Sequence, residues 1–305
     1  MKPVTDTIVE AVGQVLMGKE QQVRLALACL LAKGHLLIED LPGMGKTTLA
    51  HALAAALGLD FNRVQFTSDL LPADILGVSV YNRNTEQFSF HQGPIFSQLL
   101  VADEINRTTP KTQSALLEAM AERQVTTEGE TRNLPTPFFV IATQNPVHQS
   151  GTFPLPESQL DRFLMRLSLG YPDQAAELKL LSGIDPRESL RGLKAVIPTE
   201  QLLKLQEHVG EIKTSTSLLS YLQRLISFSR SEPGFEYGIS PRGSLALLHS
   251  AKAWALLEGR DYVIPEDIQH VAPAVLGHRL RGANELAGNP GSQLVERLLS
   301  SVDIV

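Results

Sequence analysis

The chain has one cysteine among 305 residues, so no intrachain disulfide can staple it. Cys29 lies in the apolar run Leu25-Ala26-Leu27-Ala28-Cys29-Leu30-Leu31 and reads as a small buried apolar residue rather than a nucleophile. No stretch is apolar for the length a membrane span needs, and the opening Met1-Lys2-Pro3-Val4-Thr5-Asp6 lacks the apolar core of a secretion signal. A cytoplasmic location is the expectation. Charge of one sign is not massed anywhere: 27 Lys and Arg against 33 Asp and Glu leave a net charge of −6 without a basic tail or patch, so nucleic acid is not the favoured partner. Histidines such as His91, His148 and His249 are scattered without ligand spacing, which argues against a histidine metal site. Internal repeats and low-complexity tracts are also lacking.

What the chain has is enough length and apolar content for one large α/β domain and a smaller one. Residues 5–34 show helical spacing, interrupted near Met17-Gly18-Lys19. Strands are expected at 35–39, 62–66, 98–103, 137–142 and 163–169, with helices near 46–57 and 109–122 between them. This βαβ order predicts a parallel sheet covered on both faces. Two segments break the alternation. One runs from Asp69 to Phe96 and contains a hairpin-like pair around Asn82-Arg83-Asn84-Thr85; the other, Gln124 to Arg132, is a second small hairpin. Both read as insertions into the sheet core. After Tyr171-Pro172-Asp173 the strand signals stop, and the remainder is expected to be helical, with loops around 183–197, 210–216 and 231–241 and last helices near 242–257, 265–276 and 289–302. The boundary is placed near residue 190, giving a core of 1–190 and a small all-helical domain of 191–305.

The chemistry is concentrated at strand ends. After the apolar run His35-Leu36-Leu37-Ile38 comes Glu39-Asp40-Leu41-Pro42-Gly43-Met44-Gly45-Lys46-Thr47-Thr48, then a helical stretch. This is the setting of a phosphate-binding loop: Gly43, Met44, Gly45, Lys46, Thr47 and Thr48 would cradle phosphates at a helix N-terminus, Lys46 would reach the β/γ-phosphates, and Thr47 would ligate Mg²⁺. The usual motif begins with glycine, and here that position is Asp40. A second strand, Gln98 to Asp103, ends in the adjacent carboxylates Asp103 and Glu104, which a buried parallel strand does not carry without reason. It reads as Walker B, with Asp103 holding Mg²⁺ through a water and Glu104 polarising the attacking water. No Asn-Lys-x-Asp segment is present to read guanine, so ATP is the expected nucleotide.

A third strand end, Thr143-Gln144-Asn145-Pro146, places an amide, Asn145, in the same row. Arg162, in Leu160-Asp161-Arg162-Phe163, is a candidate arginine finger supplied to a neighbouring subunit, a role worth roughly 10³–10⁵ in rate where it operates. Arg107, directly after Walker B, competes for that trans-acting role. Arg242, in Ser240-Pro241-Arg242-Gly243, stands at a helix start from which it could couple the γ-phosphate to the smaller domain.

The ordered series Asp103-Glu104-Ile105-Asn106-Arg107, Pro110 to Met120, Ala142-Thr143-Gln144-Asn145-Pro146, Leu160-Asp161-Arg162-Phe163 and Ser240-Pro241-Arg242 resembles an AAA+ ATPase of the MoxR family across nearly the whole chain. The resemblance implies an AAA+ P-loop core with a helix 2 insert at 69–96, a pre-sensor 1 hairpin at 124–137, and a helical lid. It implies that Asn145 is sensor 1, Arg162 the arginine finger and Arg242 sensor 2. It further implies a homo-oligomeric, hexameric ring that remodels a protein client, often with a partner bearing a von Willebrand factor A domain. Two other readings remain open at this point: an ATPase subunit like that of magnesium chelatase, and a DNA-dependent motor using Arg123 and Arg132. In the hairpin, Glu122, Glu128 and Glu130 offset those arginines and no aromatic residue is present to stack on bases, which disfavours the motor.

Overall fold

The computed structural model describes residues 2–84, 86–145, 151–183, 185–282 and 291–304. Met1, Thr85, Pro146 and His148, named above, lie outside them. In chain order the elements are α1 (Lys2–Val15), α2 (Glu20–Leu31), β1 (Leu36–Glu39), α3 (Lys46–Ala56), β2 (Phe61–Gln65), α4 (Pro72–Leu76), β3 (Gly77–Asn82), β4 (Gln87–Gln92), β5 (Leu99–Asp103) and α5 (Pro110–Glu122). There follow β6 (Gln124–Thr127), β7 (Glu130–Asn133), β8 (Phe139–Gln144), α6 (Glu157–Leu160), β9 (Met165–Leu167), α7 (Gln174–Leu181), α8 (Pro186–Gly192), α9 (Thr199–Glu211), α10 (Thr216–Ser231), β10 (Phe235–Tyr237), α11 (Pro241–Leu257), α12 (Pro265–Leu276), β11 (Arg281–Gly282) and α13 (Gly291–Ser301).

Five strands form a parallel sheet in the order β2-β5-β8-β1-β9. Its register aligns the strand ends that carry chemistry: Glu39 pairs with Gln144, and Gln65 with Asp103. Ligands of such sheets bind beyond the carboxyl ends of the strands, and that is where these residues lie.

Two cores form, and the sheet divides them. Leu36, Ile38, Leu99, Val101, Phe139 and Ile141 point to one side, where they join α1, α2, α3 and the C-terminal helices in a single buried cluster. Their alternates Leu37, Leu100, Ala102, Val140 and Ala142 point to the other, against α5 and the segment after β2. The period-two alternation of a strand buried on both faces produces this split. The C-terminal helices are continuous with the first core: α2 packs on α11, and Arg24 Nη2 of α2 bonds Glu258 Oε1 at 2.6 Å.

The expected elements appear with small shifts, and short elements are added: α4 and α6 in the core, then α8 and the β10–β11 pair. The strand expected at 137–142 starts at Phe139, because Pro135 and Pro137 have no N–H to give a ladder. The loop expected at 183–197 contains α8, which Asp185 caps by accepting the Arg187 N–H at 2.8 Å, with Pro186 at the first helical position. That helix spans residue 190 and packs on α1 and α3. The lid is helical apart from the short antiparallel pair β10–β11. Both inserts form hairpins, β3–β4 and β6–β7, and Arg132 of the second lies over the Phe90 ring of the first, 3.8 Å from its centroid.

Candidate functional site

The loop between β1 and α3 turns on two glycines with left-handed backbones, Gly43 (φ +85°) and Gly45 (φ +89°). A side chain would be strained at either, and at Gly45 a Cβ would also meet Leu16 Cδ1 at 2.9 Å. The irregular first residue has a function of its own. Asp40 Oδ2 accepts hydrogen bonds from Ser168 Oγ (3.0 Å), Leu169 N (2.7 Å) and Gly170 N (2.6 Å), while Oδ1 accepts from Leu41 N (2.7 Å). Partial burial pushes this carboxyl up, but the hydrogen bonds from Gly170, Leu41, Ser168 and Leu169 outweigh it and hold Asp40 below the ordinary carboxylate range. Where a glycine would only permit the turn, Asp40 ties the loop to the chain after β9.

Lys46 is buried, and its ammonium gathers the site. It donates to the carbonyls of Asp40 and Leu41 and, at 2.8 Å, to Asn145 Oδ1. Burial lowers its pKa below the ordinary lysine value, against the opposing pull of Asp40, Asp103, Glu104 and Glu39. Asn145 passes the contact on, since its Nδ2 donates to Glu104 Oε1 at 3.1 Å. Asn106 Nδ2 holds the Asn145 carbonyl at 3.2 Å. Glu104 has a left-handed backbone (φ 57°), a conformation that costs a non-glycine residue of order 1 kcal/mol. Thr143 holds it there by accepting the Glu104 N–H at 2.9 Å.

Thr47 Oγ1 donates to Asp103 Oδ2 at 3.3 Å, so the two groups expected on Mg²⁺ are neighbours. A hydroxyl and a carboxylate are hard oxygen donors, the type Mg²⁺ takes alongside phosphate oxygens. The backbone of Met44 and Thr48 completes the loop and the first turn of α3.

The arginines divide into two groups. Arg107 pairs with Glu104 of its own chain at 2.9 Å. Arg162 donates to the Leu117 carbonyl at 2.8 Å, and Arg242 reaches Asp161 Oδ2 at 3.4 Å. Among the described residues neither Arg162 nor Arg242 joins the hydrogen-bonded cluster around Lys46. Between them stands Arg279, which sequence reasoning missed. It is buried by the 161–164 segment, with Nε on Asp161 Oδ1 at 2.8 Å and Nη2 on the Phe163 carbonyl at 2.6 Å. Arg63 and Gln65 at the end of β2 were also missed. Arg63 binds Asp103, and Gln65 Nε2 binds Glu104 Oε2 at 2.9 Å. The available signal was a pair of polar residues, two apart, at the end of a strand beside Walker B.

A parallel sheet whose strand ends present a glycine-turned loop, a buried lysine and paired carboxylates defines a nucleotide-binding protein of the P-loop class. The family described as "ATPase family associated with various cellular activities (AAA)" matches residues 35–165, and the AAA lid domain matches 227–298. The chain is similar to an uncharacterised protein, YeaC, of Bacillus subtilis, at 47% identity over 100% of this chain and 96% of that protein. It is similar to chaperone MoxR1 of Mycobacterium tuberculosis at 41% identity over 88% of this chain and 73% of that one. A crystal structure from Cytophaga hutchinsonii, of a candidate ATPase, superposes with a TM-score of 0.88 at 36% identity, covering 99% of this chain and 95% of that chain. The chain belongs to the MoxR family of AAA+ ATPases. No helix among the described residues is long and apolar enough to cross a membrane.

Proposed function

We propose that this protein binds ATP with Mg²⁺, hydrolyses it, and works as a homo-oligomeric ring of six that remodels a protein client. The observation that carries the reading is the relay Lys46–Asn145–Glu104, in which three separate segments of chain meet through hydrogen bonds of 2.8 and 3.1 Å. On this reading Lys46 binds phosphate oxygens, Glu104 polarises water, and Asn145 holds that water in line. Mg²⁺ would be held by Thr47 and Asp103 and would supply positive charge to offset the negative charge of the phosphates. Arg162, committed outside its own chain's cluster, suits a role in the neighbouring subunit's site, while Arg107 is engaged with Glu104 in cis. Similarity to a protein named as a chaperone supports the remodelling role, and the family resemblance suggests a von Willebrand factor A domain protein as a partner.

Steady-state ATP turnover with nucleotide-binding assays tests the reading. Lys46→Ala should abolish nucleotide binding, and Glu104→Gln should bind ATP without turning it over. Undiminished turnover in Glu104→Gln would remove Glu104 from the role assigned to it. Proteins retained on the Glu104→Gln trap in ATP, and released in ADP, would identify the client.

A further inference from the structure

Arg63 belongs to no phosphate-handling motif, yet its guanidinium sits on the carboxylate assigned to the metal. Nε and Nη2 both donate to Asp103 Oδ2, at 3.1 and 2.6 Å. Thr47 Oγ1 donates to that same oxygen at 3.3 Å, and Thr143 Oγ1 donates to Oδ1. Asp103 Oδ2, the more heavily used oxygen, is therefore already engaged by a cation and a hydroxyl of its own chain, while Oδ1 accepts from Thr143. The two ends of the ion pair differ in freedom. The Asp103 side chain is 10% exposed and the Arg63 side chain 47%, so the guanidinium can swing into solvent at little cost while the carboxylate stays fixed. Gln65 Oε1 accepts from the same Nη2 at 3.3 Å.

A guanidinium on Asp103 Oδ2 repels an incoming Mg²⁺ and occupies the oxygen through which Asp103 would hold the ion, directly or by way of a water, and Mg²⁺ tolerates little deviation from its octahedral shell. We propose that Arg63 and Mg²⁺ compete for Asp103, so that Arg63 sets the Mg²⁺ concentration at which the site takes up its metal–nucleotide complex. The proposal rests on the nucleotide-binding reading given above. It makes Arg63 a positioning residue: it acts through Asp103, and it keeps that carboxylate oriented and charge-balanced until the ion arrives.

The test is binding rather than turnover. The full chain, as wild type, Arg63→Met and Arg63→Lys, is titrated with a fluorescent N-methylanthraniloyl derivative of AMP-PNP, first in EDTA and then at fixed nucleotide with increasing Mg²⁺. Arg63→Met should leave metal-free affinity within about twofold and lower the Mg²⁺ midpoint roughly three- to tenfold, the scale of one partly exposed charged contact. Arg63→Lys, which keeps the charge but loses the two-pronged contact, should fall between. A Mg²⁺ midpoint that is unmoved or raised in Arg63→Met overturns the competition. So does a metal-free affinity that collapses, which would make Arg63 a phosphate ligand. A wild-type protein that binds the probe under neither condition overturns the nucleotide-binding reading itself, a different result from normal binding with an unmoved midpoint.

Discussion

Asn145 Oδ1 accepts a hydrogen bond from Lys46 Nζ at 2.8 Å, although Lys46 opens α3 and Asn145 follows β8, 99 positions further along the chain. The same amide donates to Glu104 at 3.1 Å, so both faces of one side chain are used. Removing it should misplace the carboxylate more than it weakens phosphate binding. Asn145→Ala is expected to lower kcat about 10²-fold, with nucleotide affinity changed only a few-fold. Single-turnover rates beside equilibrium binding separate the two effects, and a loss confined to affinity would contradict the assignment.

Asp40 provides a second prediction, because the residue that breaks the motif is also the one that anchors the loop. Asp40→Gly restores the usual first position but deletes the hydrogen bonds to Ser168, Leu169 and Gly170. It should lower stability by about 1–3 kcal/mol, the range for losing hydrogen bonds to a charged acceptor. Asp40→Asn, which keeps an acceptor, should lose less. Chemical denaturation of the three proteins orders them; a stabilised Asp40→Gly would show that the tether is worth less than the glycine.

His35 predicts an acid-side loss of stability. It is buried, its Nδ1 accepts the Val140 N–H at 3.0 Å, and its Nε2 therefore donates to the Met120 carbonyl at 3.2 Å. Burial, with a smaller push from Arg123, lowers its pKa to about 4. A depressed folded-state value means that the neutral ring stabilises the fold fully above the unfolded value of 6.5, and the contribution is lost as pH falls from there toward 4. The full span is worth roughly 3 kcal/mol. His278, also buried and lowered chiefly by burial, acts in the same direction. Unfolding free energies measured between pH 8 and pH 4.5 should decline, and His35→Asn, less stable throughout, should show a shallower decline. Parallel slopes would mean that His35 does not titrate with folding.

Much of this was legible because strand ends and chemistry coincide in the chain. Lys46, Asp103, Glu104 and Asn145 each follow an apolar run, and a parallel sheet has to bring such ends into one row. Arg63 and Gln65 escaped because β2 is an edge strand with a polar, weakly patterned sequence, Phe61-Asn62-Arg63-Val64-Gln65, in which functional and solvated polar residues look alike. Arg279 escaped for another reason: its partners Asp161, Phe163 and Leu164 are more than a hundred residues away, and nothing local marks an arginine that will be buried. The role of Asp40 was invisible because its meaning depends on the backbone of 168–170, which only tertiary packing brings near.

Arg162 permits a test of assembly that needs no structure of the ring. If it completes the neighbouring site, Arg162→Ala rings and Glu104→Gln rings should each be inactive, yet carry complementary intact halves. In mixed rings an intact Glu104 from one variant can face an intact Arg162 from the other, which random 1:1 mixing allows at about a quarter of the interfaces in a closed ring. Turnover should therefore rise above that of either parent after mixing and reassembly. Arg107→Ala, whose side chain pairs with Glu104 of its own chain, should not be rescued by Glu104→Gln, because both lesions then affect the same side of the interface. Rescue of Arg107→Ala together with none of Arg162→Ala would transfer the trans-acting role to Arg107.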